Sequence, residues 1–344
     1  MTTETHITMA HGGGGMAMRA LIEEVFLRTF HQGKIGAQED QAQIALADLT
    51  LRGEKLAFTT DSFVVEPLEF PGGNIGTLAV CGTINDLAVG GAQPVALSAA
   101  FIIAEGFERA RLQRIVASMA ETAQQAGVRI VTGDTKVVPH RACDGLFITT
   151  TGIGVVRLGC HISIAAGKPK DVLLVNGTMG DHGAAILCAR GELALEAPLQ
   201  SDCAALHGLM ASVLEVVPEI HCARDATRGG LAAVLYELAE ASGVCVQCQE
   251  HAVPVQAEVA GLCDILGLDP LYMANEGKLV LVVPPEYAQR ALAAMQAHPL
   301  GRHAAIIGQL EATHDGKGCV HLINSFGHAR LMTLPSGEQL PRIC

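Results

Sequence analysis

The sequence predicts an α/β chain built from two α+β halves of comparable size. A length of 344 residues is typical of two domains. The composition, with 49% hydrophobic residues, 38 glycines and only 3% aromatics, indicates an aliphatic core and many tight turns. The alternating pattern of strands and helices starts again after Lys168-Pro169-Lys170, which marks the boundary between the halves.

The first half opens with a glycine run, His11 to Gly15, followed by an amphipathic helix over 16–30 with Leu21 and Val25 on its apolar face. Alternation around Leu56 and Phe58 predicts a strand over 55–65. The remaining predicted elements are a helix over 75–90, a strand over 94–104, a helix over 107–126 and strands over 128–132 and 146–156.

The second half begins with a buried strand over 171–175, a turn at Asn176-Gly177 and a helix from Asp181. The later predicted helices cover 203–216, 228–242, 255–266 and 286–298, and the strands cover 244–249, 278–284 and 304–310. We therefore divide the chain into 1–160, 168–310 and a C-terminal segment 311–344 that carries short apolar pieces and a mobile tail.

Charge and cysteine content narrow the class of protein. A net charge of −12 argues against a nucleic-acid binder, and no apolar run reaches the roughly 20 residues of a membrane span. The N-terminus lacks the basic and apolar regions of a signal peptide. We therefore expect a cytoplasmic protein whose 11 cysteines are reduced, with Cys245 and Cys248 as structural thiols in a strand.

Five carboxylates stand in apolar or glycine-rich surroundings. They are Asp40, Asp61, Asp86, Asp134 and Asp225. Each could cap a helix or a turn by itself. Five in one chain, with Asn85-Asp86 interrupting an apolar helix, instead favour a shared Mg²⁺ that carries a nucleotide, because Mg²⁺ takes oxygen ligands and bridges phosphates.

Three further segments offer groups for phosphate chemistry. The glycines of the run at 12–15 could fold over phosphates, although the run lacks the Walker and Rossmann patterns. Lys136 follows Asp134 by two residues, so one segment could present both side chains to a phosphate. Glu276 lies between a predicted helix end and a strand, where it is either a turn residue or a base.

The chain ends in Pro341-Arg342-Ile343-Cys344, a free thiol on an arm with two prolines and a glycine. Such a thiol is either a frayed end or a working group that reaches into a site and withdraws. We predict two arm positions, inward for chemistry and outward for transfer.

Taken together, these segments resemble the HypE family of hydrogenase maturation factors, within the AIR synthetase (PurM-like) superfamily. The matching segments are Thr59 to Val65, Phe70 to Gly76, Cys81 to Ala88, Thr132 to Val138, Asp225 to Gly230, Asn275 to Gly277 and Pro341 to Cys344. The resemblance covers nearly the whole chain, and the Pro-Arg-Ile-Cys ending is its most specific part.

The resemblance implies a PurM-like fold, in which the N-terminal halves of two protomers form a joint β-barrel in a homodimer with ATP near the interface. It implies a carbamoyl dehydratase that receives a carbamoyl group on Cys344 from a HypF-type carbamoyltransferase. The S-carboxamide is then dehydrated to an S-cyanate with ATP. The cyanide passes to iron on a HypC–HypD scaffold complex for the nickel–iron hydrogenase centre.

The resemblance also implies roles for individual residues. Asp40, Asp86 and Asp225 match the Mg²⁺ ligands, although relatives often carry a doubled acid where this chain has Asp40-Gln41. Cys344, Lys136 and Glu276 are the expected catalytic groups. The expected ATP-binding residues are Gly13, Gly14, Asp61, Asn85, Asp86, Gly133, Asp134, Thr135, Asp225 and Thr227.

The chemistry needs groups of these types. Phosphorylating the carbonyl oxygen of the thiocarbamate creates a phosphate leaving group, and removal of a nitrogen-bound proton then gives the nitrile. Mg²⁺ on the carboxylates would neutralise the triphosphate, Lys136 would stabilise the transferring phosphoryl group, and Glu276 would act as the base. Cys344 is the covalent carrier.

Two alternatives stay open at this stage. Another ATP-using member of the superfamily, a small-molecule kinase or a selenophosphate synthetase, would not need Cys344; the synthetases carry a reactive residue near the N-terminus, whereas this chain has no cysteine before Cys81. A non-enzymatic scaffold would tolerate loss of Asp86 and Asp225 and would not hydrolyse ATP.

Overall fold

A computed structural model describes residues 5–33, 40–191, 198–313, 316–334 and 343. The elements of the first half, in chain order, are α1 (Met16–Leu21), a π-helical segment (Ile22–Leu27), α2 (Arg28–Phe30), α3 (Leu46–Thr50), β1 (Lys55–Phe63), β2 (Glu69–Phe70), β3 (Gly73–Asn74), α4 (Ile75–Val89), β4 (Ala92–Ala104), α5 (Arg109–Gln125), β5 (Arg129–Val138) and β6 (Leu146–Val156).

The first half is built on a four-stranded sheet in the order β1-β6-β4-β5. Strands β4 and β5 are parallel, and the other neighbours are antiparallel. Helix α4 is apolar on nearly all sides because it is packed between this sheet and the second half of the chain. Its crossing with α5 is close: a Cβ on Gly76 would lie 2.5 Å from the carbonyl oxygen of Ile115, so a glycine is needed there.

The other face of this sheet is open. Phe58 and Leu56 on β1 are 69% and 61% exposed, and Ile102 on β4 is 41% exposed. Because β1 and β5 are both edge strands, the described sheet of one chain has two edges without a strand partner, beside a face that exposes large apolar side chains among polar ones. The four strands therefore form an open sheet, and the expected barrel would need a second copy.

The second half contains, in chain order, β7 (Val172–Val175), α6 (Asp181–Ala189), α7 (His207–Val216), β8 (Cys222–Asp225), α8 (Gly230–Ser242), β9 (Val244–Gln249), α9 (Ala257–Leu266), β10 (Leu279–Val283), α10 (Ala288–Ala297), β11 (Ala305–Ala312), β12 (Cys319–Ile323) and β13 (Ala329–Leu331). A seven-stranded sheet runs in the order β13-β12-β9-β11-β7-β10-β8. Residues 319–331 thus continue the second sheet.

Most predicted elements are confirmed, and three differences concern the site. Strand β5 extends to Val138 because it pairs with β4 beyond the predicted end at 132; Gly133 fits there because a Cβ would lie 2.2 Å from the carbonyl oxygen of Ala99. The sequence missed β8, a four-residue strand with a polar end. The predicted helix 203–216 begins only at His207, and residues before it form a connecting segment.

The cysteine prediction is partly wrong. Cys245 is disulfide-bonded to Cys319, which faces it across the parallel strands β9 and β12. The pairing depends on a strand neighbour 74 residues away, which sequence spacing cannot reveal. Cys248 is a free buried thiol, as expected. Within the described ranges, no helix is both long and apolar enough to cross a bilayer.

Candidate active site

A cavity of about 500 Å³ opens where the edge strand β1, helix α4 and strand β8 meet. Three predicted carboxylates reach it from three different elements: Asp61 from β1, Asp86 from α4 and Asp225 from the end of β8. Thr227 and Glu276 also line it, as do Arg224 and Arg228. The two halves of the chain therefore build the cavity together.

Asp86 and Asp225 are held in an environment that disfavours their charge. Burial raises the pKa of Asp86, and a hydrogen bond from the Thr59 hydroxyl at 2.8 Å lowers it in part. Burial, and next the charge of Asp86, raise the pKa of Asp225 to about 6. The charge of Asp61 also raises the pKa of both residues, and carboxylates crowded into one cavity in this way favour the binding of a cation.

Two features of the described residues bear on whether the cavity can hold Mg²⁺. The cavity offers hard oxygen ligands, and burial raises the pKa of Asp86 and Asp225 although the nearby Arg224 lowers both in part. Among the described residues, only Cys245, Cys319 and His321 bring three potential metal-ligand atoms within 4.8 Å of one another. The carboxylates therefore fit a Mg²⁺ held jointly with nucleotide phosphates better than a site built from protein ligands alone.

Glu276 has the environment of a base. Glu276 is 2% exposed, and its buried Oε1 atom has no hydrogen-bond partner among the described residues. Burial, followed by the charges of Asp202 and Asp225, raises its pKa well above the usual value for Glu. An unpartnered buried carboxyl oxygen facing a cavity can accept a proton from a bound group.

A buried ion network fixes the backbone beneath Glu276. Asp202 accepts a hydrogen bond from the Glu276 N–H at 2.9 Å, and its other oxygen lies 2.8 Å from the Lys278 ammonium. Lys278 also contacts Asp181 at 3.1 Å. Sequence reasoning missed all three residues; the one available signal was a lysine at the start of a strand that is otherwise fully apolar.

Asn85, expected to bind the nucleotide, does not line the cavity and ties the two halves together. Its buried amide donates to the carbonyl oxygens of Ala204 and Glu276, at 3.0 and 3.1 Å. Its oxygen accepts from the Leu206 N–H at 2.7 Å. Helical geometry explains the difference: Asp86 faces the cavity, so its neighbour Asn85, about 100° around the helix, faces the second half.

The remaining predicted residues form a second group at the β5 edge. Lys136 is exposed and pairs with Asp134 at 3.2 Å. Gly133 and Asp134 are exposed beside it, whereas Thr135 is buried and points to the opposite face, toward the helical segment that follows the glycine run. Gly13 and Gly14 are exposed next to Gly12, where an added Cβ would lie 3.0 Å from Cβ of Val137 on β5. Within one chain, this group lies across the sheet from the cavity.

Two predicted residues stand apart. Asp40 is exposed and does not line the cavity. Cys344 lies outside the described residues, but its neighbour Ile343 is described and is only 7% exposed. The main chain immediately before the thiol is therefore buried within the protein.

Comparison with known proteins gives consistent matches. The family models for the N-terminal and C-terminal domains of AIR synthase related proteins match residues 38–156 and 168–321. A carbamoyl dehydratase HypE from Rhodobacter capsulatus is 56% identical over 341 residues, covering 99% of both chains.

Two solved structures are also similar. A hydrogenase maturation protein HypE in complex with ATP has a TM-score of 0.92 and 45% identity, covering 98% of this chain and 99% of its own. A HypE–HypF complex contains a chain with a TM-score of 0.79 and 47% identity, covering 81% of this chain and 90% of that one.

Proposed function

This chain belongs to the AIR synthase related family, as a carbamoyl dehydratase of hydrogenase maturation that uses ATP, and from that premise we propose how its residues divide the work. Cys344 carries the carbamoyl group as an S-carboxamide, and the cavity between β1, α4 and β8 dehydrates it to an S-cyanate. The observation that carries this proposal is the buried Oε1 of Glu276, which has no hydrogen-bond partner in the described part of the chain, in a cavity lined by three other carboxylates.

In this proposal, Asp61, Asp86 and Asp225 hold Mg²⁺ together with the phosphates of ATP. Bound Mg²⁺ would neutralise the triphosphate and orient it for transfer. The raised pKa of Asp225 supports this role, because a cation would remove the repulsion from Asp86 that contributes to it. Asp40 is exposed away from the cavity, so it could bind the same Mg²⁺ only after moving toward it.

Transfer of the γ-phosphoryl group of ATP to the carbonyl oxygen, with release of one of the two N–H protons to solvent, gives ADP and an imidoyl phosphate that keeps one N–H. Glu276 removes this remaining proton while phosphate leaves. The bond between carbon and oxygen breaks, a second carbon–nitrogen π bond forms, and the proton passes to the Glu276 carboxylate. A base with a raised pKa is suited to this step, since it holds the proton more firmly than an ordinary carboxylate does.

We further propose that the working unit is a homodimer in which Lys136 acts across the interface. Two observations support it: β1 and β5 are the edges of an open sheet with an apolar face, and the predicted residues divide between those same two edges. Pairing β1 of one protomer with β5 of its partner would close eight strands into a barrel. It would also bring one protomer's Lys136 toward the other protomer's cavity.

The proposal extends to partners and place. A HypF-type carbamoyltransferase would load Cys344, in keeping with the similar HypE–HypF complex, and a HypC–HypD scaffold would take the cyanide. Both transfers need the thiol exposed, which agrees with an arm of two positions. The reaction would occur in the cytoplasm, where ATP and carbamoyl phosphate are supplied.

The test is mass spectrometry of the C-terminal peptide after incubation with carbamoyl phosphate, ATP and the carbamoyltransferase. We expect a carbamoyl adduct on Cys344 that loses one water with ATP. With a non-hydrolysable ATP analogue added after loading, the adduct should persist. An unmodified Cys344 while the transferase is active would exclude the proposed carrier role and favour a kinase or a scaffold.

A further inference from the structure

We propose that His182 is a positioning residue that holds the C-terminal arm in its inward position by binding the main chain next to the reactive cysteine. The inference rests on the proposed carrier role of Cys344 and adds how the protein aligns that carrier. His182 lies in the first turn of α6 and is fully buried. Its Nε2 atom is 2.9 Å from the carbonyl oxygen of Ile343.

The hydrogen bonds of the ring assign its protons. A carbonyl oxygen can only accept, so Nε2 carries the hydrogen and donates it to Ile343. Burial lowers the pKa of His182, which favours the neutral ring, and its Nδ1 is then an acceptor. The Ser201 hydroxyl, 2.7 Å away, donates to Nδ1 and so selects the tautomer that binds the arm.

The arm is held at two points within one residue. Besides the hydrogen bond at its carbonyl, Ile343 buries its side chain in the hydrophobic core of the first half. The ring of Phe70 meets the His182 ring edge-on, with centroids 5.4 Å apart, and limits its rotation. Both anchors act on Ile343, the residue directly before Cys344, so they fix the main chain to which the reactive residue is attached.

Residues 201–203 connect His182 to the proposed base, Glu276. Ser201, which orients His182, also accepts a hydrogen bond from the Cys203 N–H at 3.1 Å. Asp202, between them, accepts from the Glu276 N–H. Three consecutive residues therefore link the group that holds the arm to the group that removes the proton, and the link fixes the two in relation to each other. Such alignment is what an intramolecular reaction depends on.

One hydrogen bond and one apolar side chain also suit an arm that must leave. Neither contact is covalent or ionic, and a water molecule can replace His182 at the Ile343 carbonyl once the arm withdraws. Loss of the His182 contact should therefore slow dehydration, which needs the inward arm. It should leave loading unchanged or faster, since loading needs the outward arm.

The experiment separates these two steps in the full-length protein. Cyanate adds to a thiol to give an S-carboxamide, so Cys344 can be carbamoylated without the transferase. After removal of cyanate, MgATP is added and loss of one water from the C-terminal peptide is followed by mass spectrometry. We expect His182→Phe to slow this loss by about tenfold or more, the effect of one well-placed hydrogen bond. His182→Gln, whose amide can donate, should recover part of the rate.

Two further measurements exclude a general structural effect. MgATP affinity and the rate at which the transferase loads Cys344 should not fall in His182→Phe. Should that variant fail to fold, Ser201→Ala replaces it, because it removes the group that selects the tautomer, and we expect an intermediate loss of rate. Water loss at the wild-type rate, or an equal fall in MgATP affinity, overturns the proposal. If the wild-type protein itself loses no water, the proposed function has failed rather than the role of His182.

Discussion

The backbone N–H of Glu276 donates a hydrogen bond of 2.9 Å to Oδ1 of Asp202. This contact joins the proposed base to a buried network in which Asp202 and Asp181 share the ammonium of Lys278. The carboxyl side chain of Glu276 is left out of that network, since no described residue forms a hydrogen bond with its Oε1. The protein thus fixes the main chain of Glu276 while keeping its side chain available.

Glu276→Gln should lower the rate of dehydration by about 10²-fold or more, because Gln cannot take a proton. MgATP affinity should change little. In the wild-type protein, the raised pKa of Glu276 means that the carboxylate becomes protonated, and the rate falls, at a pH above the usual range for Glu. Single-turnover rates of water loss between pH 5 and 9 measure this. A rate that stays constant down to pH 5 would contradict the assignment of Glu276 as the base.

Asp225→Asn should stabilise the nucleotide-free protein. The folded-state pKa of about 6 exceeds the ordinary Asp value of 3.8, so as pH rises from about 4 to about 6 the unfolded state loses its proton first and stability falls. The destabilisation by the charged Asp225 is complete above about pH 6. We expect Asp225→Asn to raise the free energy of unfolding by about 1–3 kcal/mol at pH 8 and by less at pH 5. Urea unfolding at both pH values measures this difference.

Asp225→Asn should also weaken Mg²⁺-dependent nucleotide binding. The substitution would thus raise the stability of the protein while lowering its function. Asp48→Asn, an exposed carboxylate on α3, is the matched control and should change neither quantity. Equal stability of Asp225→Asn and the wild type at pH 8 would show that the charge of Asp225 is already compensated.

Mixed dimers test whether Lys136 acts across the interface. Lys136→Ala and Glu276→Gln should each be inactive alone. Random mixing of the two should restore about a quarter of the wild-type activity, since half the dimers are mixed and each has one intact site. Mixing Asp86→Asn with Glu276→Gln is the control: both residues line the same cavity, so neither site of a mixed dimer is intact. Recovery of activity in the control mixture alone, or in neither mixture, would contradict a role of Lys136 in the partner's cavity.

Asn85→Ala should destabilise the protein by about 2–4 kcal/mol, because it leaves the carbonyl oxygens of Ala204 and Glu276 and the N–H of Leu206 buried without partners. It should also slow dehydration, since Glu276 loses a support of its main chain. Urea unfolding and the single-turnover assay measure the two effects. Asn85→Asp keeps an oxygen that can accept from the Leu206 N–H, so it should retain part of the stability that Asn85→Ala loses. A loss of nucleotide affinity with unchanged stability would instead favour the direct role that the sequence predicts.

Local patterns in the sequence were enough for most of the regular elements and for the chemical groups of the site. Strand β6 and strand β9 lie where alternation places them, and α4 begins at Ile75 because Asn74 caps it through the N–H groups of Gly76 and Thr77. Asp61, Asp86, Asp225 and Glu276 do share one cavity. These results depend on short-range preferences that each segment carries by itself.

The tertiary structure decided what depends on distant neighbours. It assigned Asn85 to a contact between the halves, although Asn85 and Asp86 are adjacent in sequence, because a helix turns successive side chains to different sides. It placed Lys136 at the opposite sheet edge from Asp61, and it brought Asp202 under Glu276 and His182 beside Ile343, across 74 and 161 residues. The sequence by itself determined which chemical groups are present, and packing between the two halves determined which of them meet.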